Sequence, residues 1–336
     1  MGSSPEAIAT LTAPTVLQPD TVLHASPHSI GLRGRRLAQS PLTLYPIVLG
    51  AGAFGWSTDD RGAAEIIDQF IDLGGNFVDA TGSYVDGRSE RAVGAWLARP
   101  GSRSRILLGT TIGYHHTFAE GSARLVVHAV EAALTRLGTD HLDLLSVHLG
   151  EDSPTVEVLV AVDDLIRSGK VRFVSASAPS ANRLIEARIV AAQHGVSPLV
   201  AVQANYSLVH RAGYESGVAR VVALQDCGFM PRQPLAGGLL SERYRSMQEA
   251  ARRVRRGAEV TLPPKRWPSL LSGLASIARE LGVGVSGAAL AWLLTRPGVT
   301  APIVSASSAD QIVEAMSAVR VQLTRHQLAE LDRLSR

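Results

Sequence analysis

The chain alternates short apolar runs with longer segments in which apolar side chains recur every three or four residues. The runs fall at 45–50, 76–80, 105–109, 142–148, 171–175, 199–203, 228–231 and 301–304. Glycines or polar turns bound them, as expected of parallel strands buried on both faces. Between the runs, a 3.6-residue period predicts helices at 60–73, 88–98, 122–137, 154–168, 180–195 and 214–226. Two more follow at 268–281 and 285–296, ahead of the eighth run, and two at 308–317 and 324–334 behind it. In the first helix Ala63, Ile66, Ile67, Phe70 and Ile71 share one face. Eight such alternations specify an α/β fold, a single (β/α)8 TIM barrel. Residues 31–336 are assigned to it, with 32–44 read as a hairpin capping the bottom. Residues 1–30 are rich in Ser, Pro, Ala and Thr without sustained periodicity and read as a flexible leader.

One local pattern competes with this reading. Gly50-Ala51-Gly52-Ala53-Phe54-Gly55 is formally G-x-G-x-x-G behind a strand, with Asp79 at a suitable distance for a dinucleotide fingerprint. The third glycine should open a helix, yet Trp56-Ser57-Thr58-Asp59-Asp60 follows, a polar turn and cap that starts the helix near Asp60. The alternation also continues for seven further units. The barrel is therefore preferred.

In a parallel barrel every strand's C-terminal end opens on one face, where the chemistry sits. That geometry gathers Trp56, Asp79, Tyr84, Thr111, His148, Gln203 and Arg232 despite their separation in sequence. Asn76–Ala80 delivers a carboxylate to this mouth, and Tyr84 follows five residues later on a loop of small residues. A phenol tuned by its surroundings can serve as a general acid.

Composition narrows the classes. Of 336 residues, 46% are hydrophobic, enough for a large core and too many for a disordered chain. No apolar run is long enough for a membrane span, and the first 28 residues lack a secretory pattern. Cys227 is the only cysteine, which excludes a disulfide framework and suggests a reducing, cytoplasmic location. The net charge is +3, carried almost wholly by arginine, since Lys170 and Lys265 are the only lysines. The basic run Arg252-Arg253-Val254-Arg255-Arg256 has no recognition module or interleaved aromatics, so a solvated loop near an anionic ligand is preferred to a nucleic-acid patch. The long segment from Ser241 to Arg266 is read as a functional flap. His115 and His116, adjacent in sequence, point in different directions, and no metal site is expected. The implied partner is a small-molecule substrate, without nucleic acid or membrane; arginine richness also associates with secondary metabolism.

The blocks quoted resemble the aldo-keto reductase superfamily. Asp79-Ala80-Thr81-Gly82-Ser83-Tyr84 and Arg88-Ser89-Glu90 match its Asp/Tyr region, and 137–148 matches L-G-T-D-x-x-D-L-x-x-x-H closely. The resemblance runs from about Leu37 to Leu334. It implies NADP(H)-dependent reduction of a carbonyl or enone, with Tyr84 as proton donor and His148 orienting the substrate. Asp79 would be a third member of the catalytic set. Thr111 stands where that set has a lysine, which would lower the phenol's pKa.

For the cofactor, the resemblance implies roles for Ser177 and Gln203 at the carboxamide and for Pro234, Leu235 and Gly237 in the turn after the seventh strand. It implies Ser305, Ser307 and Gln311 at the adenosine end. Arg232 occupies the place of an aromatic that stacks on the nicotinamide, Ala178 that of an asparagine, and Ala315 that of another. Arg232 could contact cofactor or substrate, and Trp56, Tyr114 and His115 would line the substrate side. Two other readings stay open. A repurposed barrel could perform dehydration, isomerisation or cyclisation with Asp79, Tyr84 and His148, or the chain could be a silent regulatory subunit.

Overall fold

The computed structural model describes residues 34–80, 87–113, 122–241, 248–249 and 258–336. The expected leader, Tyr84, Tyr114, His115, His116 and the basic run at 252–256 lie outside the described residues.

Eight parallel strands form the barrel: β1 Val48–Gly50, β2 Phe77–Asp79, β3 Leu107–Ile112, β4 Leu142–His148, β5 Val171–Ser177, β6 Ala201–Asn205, β7 Gly228–Arg232 and β8 Ile303–Ser305. Their order in the sheet is β8-β1-β2-β3-β4-β5-β6-β7. The remaining seam is closed by a parallel bridge from Phe229 to Val299, where Thr300 N–H donates to Phe229 O at 2.7 Å. The outer layer comprises α1 Asp60–Asp72, α2 Arg88–Leu97, α3 Ser122–Leu137, α4 Thr155–Arg167, α5 Ala181–His194, α6 Ala219–Leu224, α7 Trp267–Leu281, α8 Val285–Leu294, α9 Ala309–Ser317 and α10 Arg325–Ser335. Each expected helix is present. The Asp59 side chain accepts from Gly62 N–H and caps α1 at Asp60, so no helix opens at Gly55.

Several strands are displaced from expectation. β3 begins two residues later than expected and extends to Ile112, which puts Thr111 inside the strand. β5 reaches Ser177, and β1 is cut to three residues. The helix expected at 214–226 opens with a π turn, Tyr214–Val218.

Side chains alternate along each strand, and the register aligns the inward positions of neighbours. Val48, Phe77, Leu107, Leu144, Ala201, Met230 and Ile303 form one buried cluster inside the lower barrel. The hairpin pairing Arg35–Arg36 with Thr43–Leu44 closes it from below, contributing Leu37, Leu42 and Leu44. Outward strand residues such as Leu49, Val78, Leu145 and Val202 join the larger cluster beneath the helices.

Polar bonds lock the layers together. Asp143 on β4 accepts from Arg103 Nη2 at 2.8 Å, Arg172 Nη1 at 2.6 Å and Leu108 N–H at 2.9 Å. Glu90, fully buried on α2, accepts from Thr110 Oγ1 at 2.8 Å and Arg136 Nε at 2.5 Å. Asp332 on α10 accepts from Trp292 Nε1 and Arg211 Nη1, each at 3.0 Å. Burial pushes its carboxyl up, but Trp292, Arg296 and Arg211 outweigh that and hold it below the usual range. Among the described residues no single helix is long and apolar enough to cross a membrane.

Candidate functional site at the barrel mouth

Two to four residues above the apolar layer, the inward positions turn polar. They are Asp79 on β2, Thr111 on β3, Ser146 and His148 on β4, Ser175 and Ser177 on β5, Gln203 on β6, Arg232 on β7 and Ser305 on β8. The parity follows from the strands themselves. Phe77 faces inward, so Asp79 does; Leu144 faces inward, so Ser146 and His148 do.

One wall is continuous. His148 is in register with Ser177, Ser177 with Gln203, and Asn205 with Arg232. Arg232 Nη1 donates to Ser177 Oγ at 3.1 Å. Below them Ser146 Oγ and Ser175 Oγ share a hydrogen bond of 2.5 Å. His148 is held below the ordinary histidine pKa chiefly by burial, with the Arg232 charge adding to the effect and a backbone bond with Ser177 opposing it. Its imidazole is therefore neutral at pH 7. Gln203 is 1% exposed, and among the described residues nothing donates to its Oε1.

The opposite wall is built for close approach. Gly50 on β1 sits in register with Ser305 on one side and Asp79 on the other. A Cβ on Gly50 would lie 3.0 Å from Ser305 Oγ, and one on Gly52 3.2 Å from it. The two glycines let the β8 side chains, Ile303 and Ser305, pack closely against the backbone here. Thr111 is buried in register with Ser146, two residues beyond Gly109, which pairs with Asp79.

The remaining expected positions differ in placement. Trp56 is 71% exposed at the rim, where the 55–59 turn, Gly62 and Ser307 line a cleft of about 580 Å³. Gln311 at the start of α9 is turned onto its own loop, accepting from Ser307 N–H at 3.0 Å. Pro234, Leu235 and Gly237 form the tight turn behind β7, with Gln233, Ala236, Gly237 and Gly238 at positive φ. Glu259 N–H donates to Gln233 Oε1 at 3.1 Å, so the described end of the expected flap is tied beside Arg232. Among the described residues no cluster of three or more His, Cys, Asp or Glu side chains could hold a metal ion.

Sequence reading missed the Ser146–Ser175 pair and the Asp143 hub. The first was recoverable by stepping back two residues from His148 and Ser177 along their strands. The second lay inside the quoted motif with no role attached.

A parallel barrel with a polar mouth over an apolar plug defines a class of enzyme that works at its strand ends. The aldo/keto reductase family matches residues 46–336, and the chain belongs to that family. It is thereby an oxidoreductase enzyme. It is 28% identical over 311 residues to the uncharacterized oxidoreductase YrpG of Bacillus subtilis, covering 88% of this chain and 94% of that one. It is 29% identical to aldo-keto reductase dtxS3 of Metarhizium robertsii, covering 83% of each. Norsolorinic acid reductase A of Aspergillus parasiticus is 26% identical, over 96% of this chain and 84% of its own length.

Proposed function

We propose that the chain is an NADP(H)-dependent reductase of a carbonyl or enone in a small molecule, of the secondary-metabolite kind that its relatives' names suggest. The observation that carries this reading is the buried Gln203 Oε1, which is matched to no donor among the described residues. An unmet acceptor at 1% exposure is costly unless a ligand supplies the missing N–H, and a carboxamide does so.

Gln203 and Ser177 would hold the nicotinamide end, and Ser305 would face the phosphate and adenosine side. Pro234, Leu235 and Gly237 would shape that cradle, and Ser307 with Gln311 its adenosine end. When bound, the reduced cofactor supplies a hydride. The chain's own residues do the rest. His148, neutral through burial and the nearby guanidinium, donates a hydrogen bond to the substrate oxygen and orients it. Tyr84 delivers the proton. Asp79 and Thr111 stand on the neighbouring strands β2 and β3, with Thr111 in the place of the family's lysine. Trp56, Tyr114 and His115 would bound the substrate. A cytoplasmic location fits the single cysteine.

One observation favours the non-redox alternative, a dehydratase, isomerase or cyclase. Arg232 already engages Ser177 Oγ, and its cation disfavours an oxidised, positively charged ring nearby. Titration with NADPH, followed by quenching of protein fluorescence, separates the two. The reductase reading expects saturable binding in the micromolar range; no binding at millimolar cofactor leaves acid–base chemistry in its place.

A further inference from the structure

The helical layer is not uniform in what it shows to water. Among the described residues eight large hydrophobic side chains are exposed, and five of them, Leu125, Val156, Val160, Ile185 and Ile189, lie on the consecutive helices α3, α4 and α5. We propose that the outer face of α3–α5 is a self-association surface, which pairs with a second copy of this chain about a two-fold axis. The reaction at the mouth plays no part in it.

The pattern within each helix marks the face. On α4, Val158, Leu159, Val162 and Leu165 are buried against the barrel. Val156 and Val160, one turn apart, lie on the other side, where a surface helix carries polar residues. α5 repeats this: Leu184, Ala187, Val190 and Ala191 face in, while Ile185 and Ile189 face out. α3 packs on α4 and α4 on α5, so the stripes are neighbours. By contrast α1, α2, α7, α8 and α10 expose no large hydrophobic side chain. A groove of about 370 Å³ runs between α3 and α4 in the same face, lined by Arg124, Val127, His128, Glu131, Val160 and Asp164.

Area and charge together select the occupant. The five side chains, each between 37% and 50% exposed, leave on the order of 400 Å² of hydrocarbon in water, a patch of interface size. A standard interface takes about 800 Å² from each partner, a little over half of it apolar. The five thus supply most of the apolar share that one such face needs.

In the groove Arg124 stands near the N-terminal end of α3 and Asp164 near the C-terminal end of α4. Neither forms an ion pair among the described residues, whereas Glu131 between them is held by Lys170 at 2.6 Å. A two-fold axis crossing between the two sets Arg124 of each copy opposite Asp164 of the other. Opposite charges at opposite ends make the face complementary to itself, a property that a foreign partner does not require.

Sedimentation of the full chain from about 1 to 100 μM tests this, since the mass of a reversible dimer rises with protomer concentration. The expected result is a dimer with a dissociation constant at or below about 10 μM. Val160→Glu places a charge in the apolar stripe twice per dimer and should weaken association at least about tenfold. Arg124→Glu and Asp164→Arg should each weaken it about threefold to tenfold. The double variant should recover most of the affinity, because the reversed pair meets across the axis. Hydrogen exchange of the wild-type chain at the two ends of the series should slow within 156–164 and 185–189, which locates the face even where a variant fails to fold. A chain that stays monomeric at about 100 μM would overturn the inference and leave the face to a different partner. So would a dimer that Val160→Glu does not weaken, a double variant no tighter than either single one, or slowing confined to other helices.

Discussion

The two ends of the barrel are made from the same strands and obey opposite rules. At the lower end Phe77, Leu107, Leu144, Met230 and Ile303 pack against the hairpin leucines, and a buried carboxylate, Asp143, accepts from three donors. Two to four residues further along the strands, Asp79, His148, Ser177, Gln203 and Arg232 replace the hydrocarbons. There Gln203 Oε1 is left unmatched among the described residues. Saturated polar groups stabilise a fold, whereas incompletely matched ones hold free energy that a ligand can release. The lower end is therefore where substitutions should change stability, and the mouth where they should change binding.

The largest expected effect tests the lower end. Asp143→Ala strips the acceptor from Arg103, Arg172 and Leu108 N–H together, and should cost about 3 kcal/mol in urea unfolding. A loss under about 0.5 kcal/mol would show that this hub carries little of the fold.

Thr111→Lys asks the complementary question at the mouth. An ammonium two residues beyond the Gly109–Asp79 register should lower the Tyr84 pKa and raise turnover of generic aldehydes by about tenfold or more. Unchanged turnover in a folded variant would mean that the site does not work as a reductase short of its lysine.

A smaller effect concerns His148. Burial, then the Arg232 charge, holds it below 6.5, so Arg232→Gln should raise its pKa part of the way while burial keeps it depressed. Below about 6.5 the unfolded chain takes up a proton that folded His148 declines. Its contribution to stability is thus complete above that pH and is lost as pH falls through the folded value. NMR titration of the ring proton, assigned with His148→Asn, reads this directly. A pKa that falls or stays fixed in Arg232→Gln would remove the electrostatic link between them.

Periodicity made the barrel legible, because eight buried runs separated by amphipathic helices admit few other architectures. The strand ends were harder to place. Thr110 and Thr111 fell beyond the expected strand at 105–109, yet Thr110 Oγ1 is matched by Glu90 and Thr111 is buried in register with Ser146, so both belong to β3. Ser177 was invisible as a strand residue for the same reason: its neighbours are small and polar, and only pairing with His148 and Gln203 makes them extended. Motif spacing named His148, Gln203 and Arg232. The hydrogen bond from Arg232 to Ser177 joins strands far apart in sequence and could not be read from local pattern.

The division of labour between the two ends can be tested on one side chain. Gln203→Leu removes a buried acceptor matched to no donor among the described residues, so its unfolding midpoint in urea should stay level or rise. Its dissociation constant for NADPH should increase by about tenfold or more. A lowered midpoint with NADPH affinity intact would contradict the account, making Gln203 a structural residue and the mouth a continuation of the core.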